Sequence, residues 1–230
     1  FAEDFKGQYS VNPLYALKKA IKGAGLEKAT VGTDDPRVIG WLNQIGLPDL
    51  KGVEATTIFR EIRMVKTPDE LSILREAAAM NEEAINIAIG SLHVGIEQGE
   101  LEIIYNTELA KRGGKGVYLS TGSMGRRRDL VKENQLITFD GLCEFKHYHG
   151  DMGRTAICGE PTEEMTKRNQ IMRKGCEIAY DIIKPGVKGR EMTTKVIDEM
   201  RKMGFPGFFI CTPHSVGLEH TDHPLPIGPM

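Results

Sequence analysis

A chain of 230 residues, of which 40% are hydrophobic and 27% charged, has the composition of a globular protein with one or two domains. Its formal net charge of −2 and its one short basic run, Arg126-Arg127-Arg128, exclude the basic surface that nucleic-acid binding needs. No apolar stretch approaches the roughly 20 residues of a membrane-spanning helix, so neither nucleic acid nor a membrane is expected as a partner.

The four cysteines show no CxxC spacing, and each lies in or near an apolar segment. This pattern predicts free, mostly buried thiols in a reducing compartment, which favours a cytoplasmic protein and argues against a zinc–thiolate site. The residues are Cys143, Cys158, Cys176 and Cys211.

Residues 1–62 have an α/β pattern with few apolar positions. The periodicity and the turn residues predict a helix from Asn12-Pro13 to Ala24-Gly25, a strand over 29–32, a helix over 36–45 and a strand over 52–58. Such a core is thin for an independent domain. We therefore interpret 1–62 as the C-terminal part of a larger N-terminal α/β domain.

The pattern changes near residue 66, where Thr67-Pro68-Asp69-Glu70 combines an N-cap, a proline at the first helical position and a capping box. A long amphipathic helix over 68–89 should follow. Further helices are expected over 99–112, 163–183 and 189–203, with a pair of strands between the second and third. A second domain is thus predicted over 63–230.

The run from Thr138 to Thr155 carries two aspartates next to apolar strand-like segments. Asp140 ends the segment 136–139, and Asp151 shortly precedes the segment 156–158. An unpaired buried carboxylate is costly, and two of them across a hairpin repel. A divalent cation between them removes both problems, although two carboxylates in strand-end turns are the simpler alternative.

Histidines follow in the last part of the chain. His214 lies between an apolar, strand-like segment, 208–211, and the turn Ser215-Val216-Gly217, while His220 and His223 flank Thr221-Asp222. Taken singly, these are typical of a structural histidine and a polar surface loop. Together with the aspartates, they suit a mixed oxygen and nitrogen shell for Mn, Fe, Co or Zn. Three ligands are too few for two metals, so such a site is incomplete within this chain.

Three segments resemble the pita-bread metallopeptidases, the family of methionine aminopeptidase, aminopeptidase P, prolidase and creatinase. Residues 63–70 resemble the join between the N-terminal domain and the first catalytic helix. Residues 139–161 resemble the double-aspartate hairpin, and 214–219 resemble the segment with the metal-binding histidine. The resemblance covers about 63–226, and more weakly 1–62. It implies an α+β pita-bread catalytic domain over 63–230, preceded by part of a creatinase-type N-terminal domain.

The resemblance also implies roles for individual residues. Asp140 would chelate one metal ion, Asp151 would bridge two, and His214 would be the histidine ligand, while His220 would contact substrate. Two glutamate ligands would lie beyond Met230, so the catalytic domain is expected to be C-terminally incomplete. The implied cofactors are two divalent metal ions, with manganese favoured and iron, cobalt or zinc as alternatives, and the implied assembly is a homodimer.

The chain departs from the family pattern at several positions. The spacing from His214 to His220 is one residue short, so His223 competes for the catalytic role. Residues 120–128 lack the histidine that many members carry there. His147 and His149 are additions near Asp151 that would line the substrate pocket, or would be strand residues that face solvent.

Three functions follow. The first is a metallopeptidase in which a metal-activated hydroxide attacks the peptide carbonyl of short Xaa-Pro substrates. The second is a non-peptidase small-molecule enzyme on the same fold, such as a creatinase-like or compatible-solute hydrolase or a lyase. The third is a non-catalytic interaction protein, which the retained Asp140, Asp151 and His214 disfavour. The first two imply a small peptide or small-molecule substrate.

Overall fold

The computed structural model describes residues 12–122, 127–209 and 211–224. The chain divides into two compact units, one up to Arg63 and one from Met64 onward. The assignment of the first unit to a larger N-terminal domain stays a prediction. None of the helices within the described ranges is both long and apolar enough to cross a membrane.

The first unit is a small parallel β-α-β arrangement. Its elements are α1 (Pro13–Gly23), β1 (Thr30–Thr33), α2 (Pro36–Gln44), β2 (Lys51–Glu54) and α3 (Thr56–Met64). The N-caps Asn12 and Asp35 start the two predicted helices, because their carboxyl or amide oxygens accept backbone N–H groups. The predicted strand over 52–58 is wrong in its second half, because β2 ends at Glu54 and α3 begins two residues later.

The second unit contains four helices and one antiparallel sheet. These are α4 (Pro68–Gly90), α5 (Gln98–Lys111), β3 (Lys115–Ser120), β4 (Gln135–Phe145), β5 (Tyr148–Cys158), α6 (Glu163–Ile182) and α7 (Gly189–Lys202). The four predicted helices are confirmed, and Thr67 and Glu70 form the predicted capping box. Strand β3 was not predicted. The expected strand over 208–211 is not found at Phe208, Phe209 or Cys211, and residue 210 lies outside the described residues.

Two of the four cysteines are less buried than expected. All four cysteines are free thiols, and Cys143 and Cys158 are buried as predicted. Cys176, however, is exposed on α6, and Cys211 is half-buried. Of the basic run, Arg127 and Arg128 lie in a turn, as expected, whereas Arg126 lies outside the described residues.

The β4–β5 hairpin separates a core face from a polar face. Alternate residues of β4, namely Ile137, Phe139 and Cys143, are buried in the core that α4 and α5 form against the sheet. Because side chains alternate along a strand, Asp140 points to the opposite face. The aspartates were expected at strand ends, but both lie within long strands that meet at the two-residue turn Lys146-His147. The charged residues and histidines within 144–149 concealed this continuity.

Asn81 of α4 ties the core face of the hairpin together. Its fully buried amide donates to the carbonyl oxygens of Gly141, at 2.7 Å, and Gly150, at 2.9 Å, and its oxygen accepts from the Tyr105 hydroxyl at 2.7 Å. Gly141 and Gly150 are the immediate neighbours of Asp140 and Asp151. Burial raises the pKa of Tyr105, so its hydroxyl stays a donor. One side chain therefore fixes the backbone beside both acids.

We predict that Asn81→Ala lowers the free energy of unfolding by about 2–4 kcal/mol, because it leaves buried polar groups on both strands and on α5 unpaired. Urea titration measures this. The matched control is Asn86→Ala, an exposed asparagine on the same helix, for which the change should stay within about 0.5 kcal/mol. Equal effects of the two substitutions would contradict the role given to Asn81.

Candidate metal centre

The register of the hairpin brings the two predicted aspartates to one face of the sheet. Asp140 pairs with Gly153, and Asp151 pairs with Leu142, so the two acids are diagonal neighbours. The side chains of such neighbours lie within reach of a common ligand. On the neighbouring strand β3, Ser120 pairs with Asp140 and Tyr118 pairs with Leu142. Both β3 residues therefore lie on the same face of the sheet as the two acids. The polar face therefore carries two acids and two hydroxyl groups.

Two imidazole rings approach the carboxylate of Asp151. Its Oδ2 atom lies 3.0 Å from Nε2 of His220 and 3.3 Å from Nε2 of His214. The two rings meet edge to face, with centroids 5.2 Å apart. Candidate ligand atoms of Asp151, His214 and His220 all lie within 4.8 Å of one another. Within the described ranges this is the one cluster of three or more such side chains.

The His214 ring is oriented so that its Nε2 atom is available as a ligand. Nδ1 lies 3.1 Å from the carbonyl oxygen of Ser215, which can only accept, so Nδ1 carries the proton. In the neutral ring, Nε2 then carries a lone pair that faces a carboxylate oxygen of Asp151. Two acceptors repel at this distance unless the ring is protonated or a cation lies between them. Ligand atoms about 2.1 Å from one metal and at right angles to each other are about 3.0 Å apart, so the spacing fits a metal ion.

Asp140 lies beside this cluster and is electrostatically coupled to it. Burial, and then the negative charge of Asp151, raise the pKa of Asp140, while His220 acts in the opposite direction. Burial and the same two acids also raise the pKa of Tyr118, whose ring lies edge to face with that of His220. A partly buried carboxyl group whose pKa is raised by burial and by a neighbouring carboxylate is a natural place for a divalent cation.

The remaining predicted histidines take different positions. His147 lies in the hairpin turn with its side chain 88% exposed, 3.5 Å from Glu144. His149 shares the polar face with Asp151, and its N–H donates to the carbonyl oxygen of Gly217 at 2.9 Å. Neither belongs to the cluster, so their substrate-binding roles stay predictions.

His223 was the competing candidate for the role given to His220. Its backbone N–H donates to Oδ1 of Asp222 at 2.8 Å, and its ring Nδ1 is buried without a hydrogen bond to any part of the chain that the structure describes. His220, in contrast, touches Asp151 directly. Sequence reasoning placed His220 in catalysis and did not anticipate this contact. It also missed Tyr118 and Ser120, for which the alternation along the unpredicted β3 was the available signal.

Residues 72–229 match the family model of metallopeptidase family M24, and the chain belongs to this family. Among curated proteins, it is 25% identical to the Xaa-Pro dipeptidase of Pyrococcus furiosus over 180 residues, which is 73% of this chain and 51% of that protein. It is also 25% identical to an uncharacterized peptidase of Staphylococcus aureus over 227 residues, or 93% of this chain and 60% of the relative. The chain thus spans between half and three fifths of these relatives.

Solved structures show the same fold. An X-Pro aminopeptidase from Thermotoga maritima superposes with a TM-score of 0.81 at 21% identity. The superposition covers 94% of this chain and 65% of the aminopeptidase chain. Prolidase from Pyrococcus furiosus gives a TM-score of 0.74 at 20% identity, with 85% and 62% covered. The pita-bread fold expected for the second unit is thereby confirmed.

We predict that Asp140→Asn raises the melting temperature of the metal-free protein at pH 7. The raised pKa of Asp140 means that the folded chain holds this proton to a higher pH than the unfolded chain. Stability therefore falls as the pH rises from the ordinary value of 3.8 through the folded pKa. An uncharged amide removes that loss.

Differential scanning calorimetry in the presence of a chelator measures the effect. The gain should vanish near pH 3, where the carboxyl group is protonated in both states. Glu160→Gln, at an exposed acid after β5, is the control and should leave the melting temperature unchanged. An unchanged or lowered melting temperature of Asp140→Asn at pH 7 would contradict the electrostatic account.

Proposed function

We propose that the protein is a metal-dependent hydrolase that cleaves short Xaa-Pro peptides. The observation that carries this proposal is the convergence of His214 and His220 on the Asp151 carboxylate, beside Asp140, in a chain of family M24. The names of the Pyrococcus and Thermotoga relatives supply the substrate class. Membership of the family by itself supports a peptidase at the level of reaction class only.

Asp140, Asp151 and His214 are the residues that would hold divalent metal ions. When bound, such ions acidify a water molecule and polarise a substrate carbonyl group. Asp151 would contribute carboxylate oxygens close both to Asp140, its diagonal neighbour in the hairpin, and to the two histidines, whose Nε2 atoms lie 3.0 and 3.3 Å from its Oδ2 atom. We take manganese as the metal and a homodimer as the assembly from the family resemblance.

His220 would serve proton transfer and substrate orientation. Its side chain is 38% exposed, compared with 24% for His214, so a substrate can reach it more easily. With a proton on Nε2, the ring donates to Asp151 or to an oxygen that develops negative charge nearby. The ring of Tyr118 lies edge to face with that of His220, with centroids 6.2 Å apart, and would line one side of a substrate site there.

A non-peptidase small-molecule hydrolase or lyase on the same fold is the second candidate. It is favoured by the absence of histidine from the sequence 120–128 and by Ser120 opposite Asp140 on β3. A serine hydroxyl at this position contacts a substrate differently from an imidazole, since it is uncharged at all relevant pH values. Fold alone does not separate the two chemistries.

We predict that the full-length, Mn²⁺-loaded protein hydrolyses Ala-Pro faster than Ala-Ala, as measured by release of free amino acids. His214→Ala should lower kcat/KM for Ala-Pro by more than about 100-fold, because changes around metal ligands already cost about 10- to 100-fold. The control is His93→Ala, an exposed histidine after α4, which should retain wild-type kinetics.

Each outcome of this assay has a definite meaning. Hydrolysis of Ala-Ala at the rate of Ala-Pro would contradict the Xaa-Pro assignment. Failure to cleave any dipeptide, in a preparation that retains its metal, would contradict the peptidase and favour the non-peptidase small-molecule enzyme. Wild-type activity of His214→Ala would contradict the site itself.

A further inference from the structure

A buried ion pair lies at the base of the loop that carries His214 and His220. Nζ of Lys66 is 3.9 Å from Oδ2 of Asp222, and the two side chains are only 9% and 1% exposed. Lys66 lies just before α4, and Asp222 closes the loop. Charged side chains are almost never buried to this degree unless they are paired. The pair thus joins the start of the second unit to a segment far along the chain.

Lys66 holds both ends of the histidine loop, residues 214–222. Its ammonium group donates to the hydroxyl of Ser215 at 3.1 Å while it faces Asp222. The backbone N–H of Asp222 in turn donates to the carbonyl oxygen of Ser215 at 2.9 Å, which closes the loop as an isolated β-bridge. The same Ser215 carbonyl accepts from Nδ1 of His214. Lys66 therefore supports the residue that orients the His214 ring.

Gly217 packs this loop against both the ion pair and the hairpin. Its carbonyl oxygen accepts from the N–H of His149 on β5 at 2.9 Å. A Cβ atom at this position would overlap the Asp222 carboxylate and would lie 3.3 Å from Cε of Lys66. The loop thus has the hairpin on one side and the ion pair on the other, and a small displacement of either would move His214 and His220 relative to Asp151.

We propose that Lys66 and Asp222 are positioning residues, which hold the histidine loop where both imidazole rings reach Asp151. A buried ion pair is a poor way to gain stability, because desolvation offsets most of the Coulomb attraction. It does impose one geometry, since the ammonium group needs its particular acceptors. The link to metal binding rests on the proposed function, whereas the link to loop position does not.

The test compares three lysine variants of the full-length protein by two measurements. Hydrogen exchange of the segment 214–222 in the metal-free protein reports loop position, and Co²⁺ titration by ligand-field absorption reports the metal site. Lys66→Met should accelerate exchange in this segment at least about 10-fold and weaken Co²⁺ binding by about 10- to 100-fold. Lys66→Arg, which keeps the charge, should recover most of both.

Lys146→Met is the matched control. Lys146 lies 3.8 Å from Glu76, almost the distance of the buried pair, but the two side chains are 58% and 52% exposed. In Lys146→Met, the hydrogen exchange of residues 214–222 and the Co²⁺ affinity should stay within about twofold of the wild type, because exposed ion pairs contribute little. If Lys66→Met does not fold, Gly217→Ala displaces the Asp222 carboxylate instead and should show the same two losses.

The double variant Lys66→Met/Asp222→Asn separates positioning from stability alone. Removing both charges should restore the urea midpoint toward the wild type, because no unpaired charge remains buried. Loop exchange should nevertheless stay fast and Co²⁺ binding weak. Recovery of loop protection together with stability would overturn the proposal, as would wild-type exchange in Lys66→Met. A wild-type protein that binds no Co²⁺ would contradict the proposed function, while the exchange data would still decide the role of Lys66.

Discussion

The β4–β5 hairpin has to be apolar on one face and acidic on the other, and the rest of the second unit is arranged around this constraint. Ile137, Phe139 and Cys143 pack on α4 and α5, while Asp140 and Asp151 share the opposite face. Because the side chains of a strand alternate between its two faces, a change of register would displace the apolar and the acidic residues together. Asn81, which binds the backbone carbonyls beside both acids, joins the packing of the core to the geometry of the site.

The site is held from two directions by different kinds of interaction. The hairpin side is fixed by backbone pairing and by the buried amide of Asn81. The histidine side depends on a loop without regular secondary structure, which is attached through Gly217 to His149 and through Ser215 to Lys66. Loops position side chains less firmly than sheets do, so a buried ionic contact at this loop has a clear physical purpose. Site and support together use residues from three distant parts of the chain.

Local chemistry made much of this structure predictable. The capping box at Thr67, the N-caps Asn12 and Asp35 and the helical periodicity located the helices, because these signals are local. The proximity of Asp140 and Asp151 was predictable because acids beside apolar strands are unusual. Strand β3 and the full length of β4 and β5 were not predictable in the same way, since their polar residues face the site and interrupt the apolar pattern.

Longer-range features left no local signal. The contact of His220 with Asp151 depends on the path of the loop, and the ion pair of Lys66 with Asp222 joins residues at opposite ends of the unit. The start of α3 was misassigned because its first residues, Thr56, Thr57 and Ile58, are β-branched and therefore also typical of a strand. Tertiary contacts decided the first two of these cases, whereas α3 buries none of its residues.

The most direct measurement of the central claim is metal content by elemental analysis. The full-length protein is loaded with Mn²⁺, dialysed, and compared with Asp151→Asn and with Asp198→Asn, an exposed acid on α7 that serves as the control. The account predicts about two metal ions per chain in the wild type and in the control, and their loss in Asp151→Asn. Full metal content in Asp151→Asn, or no bound metal in the wild type, would contradict it.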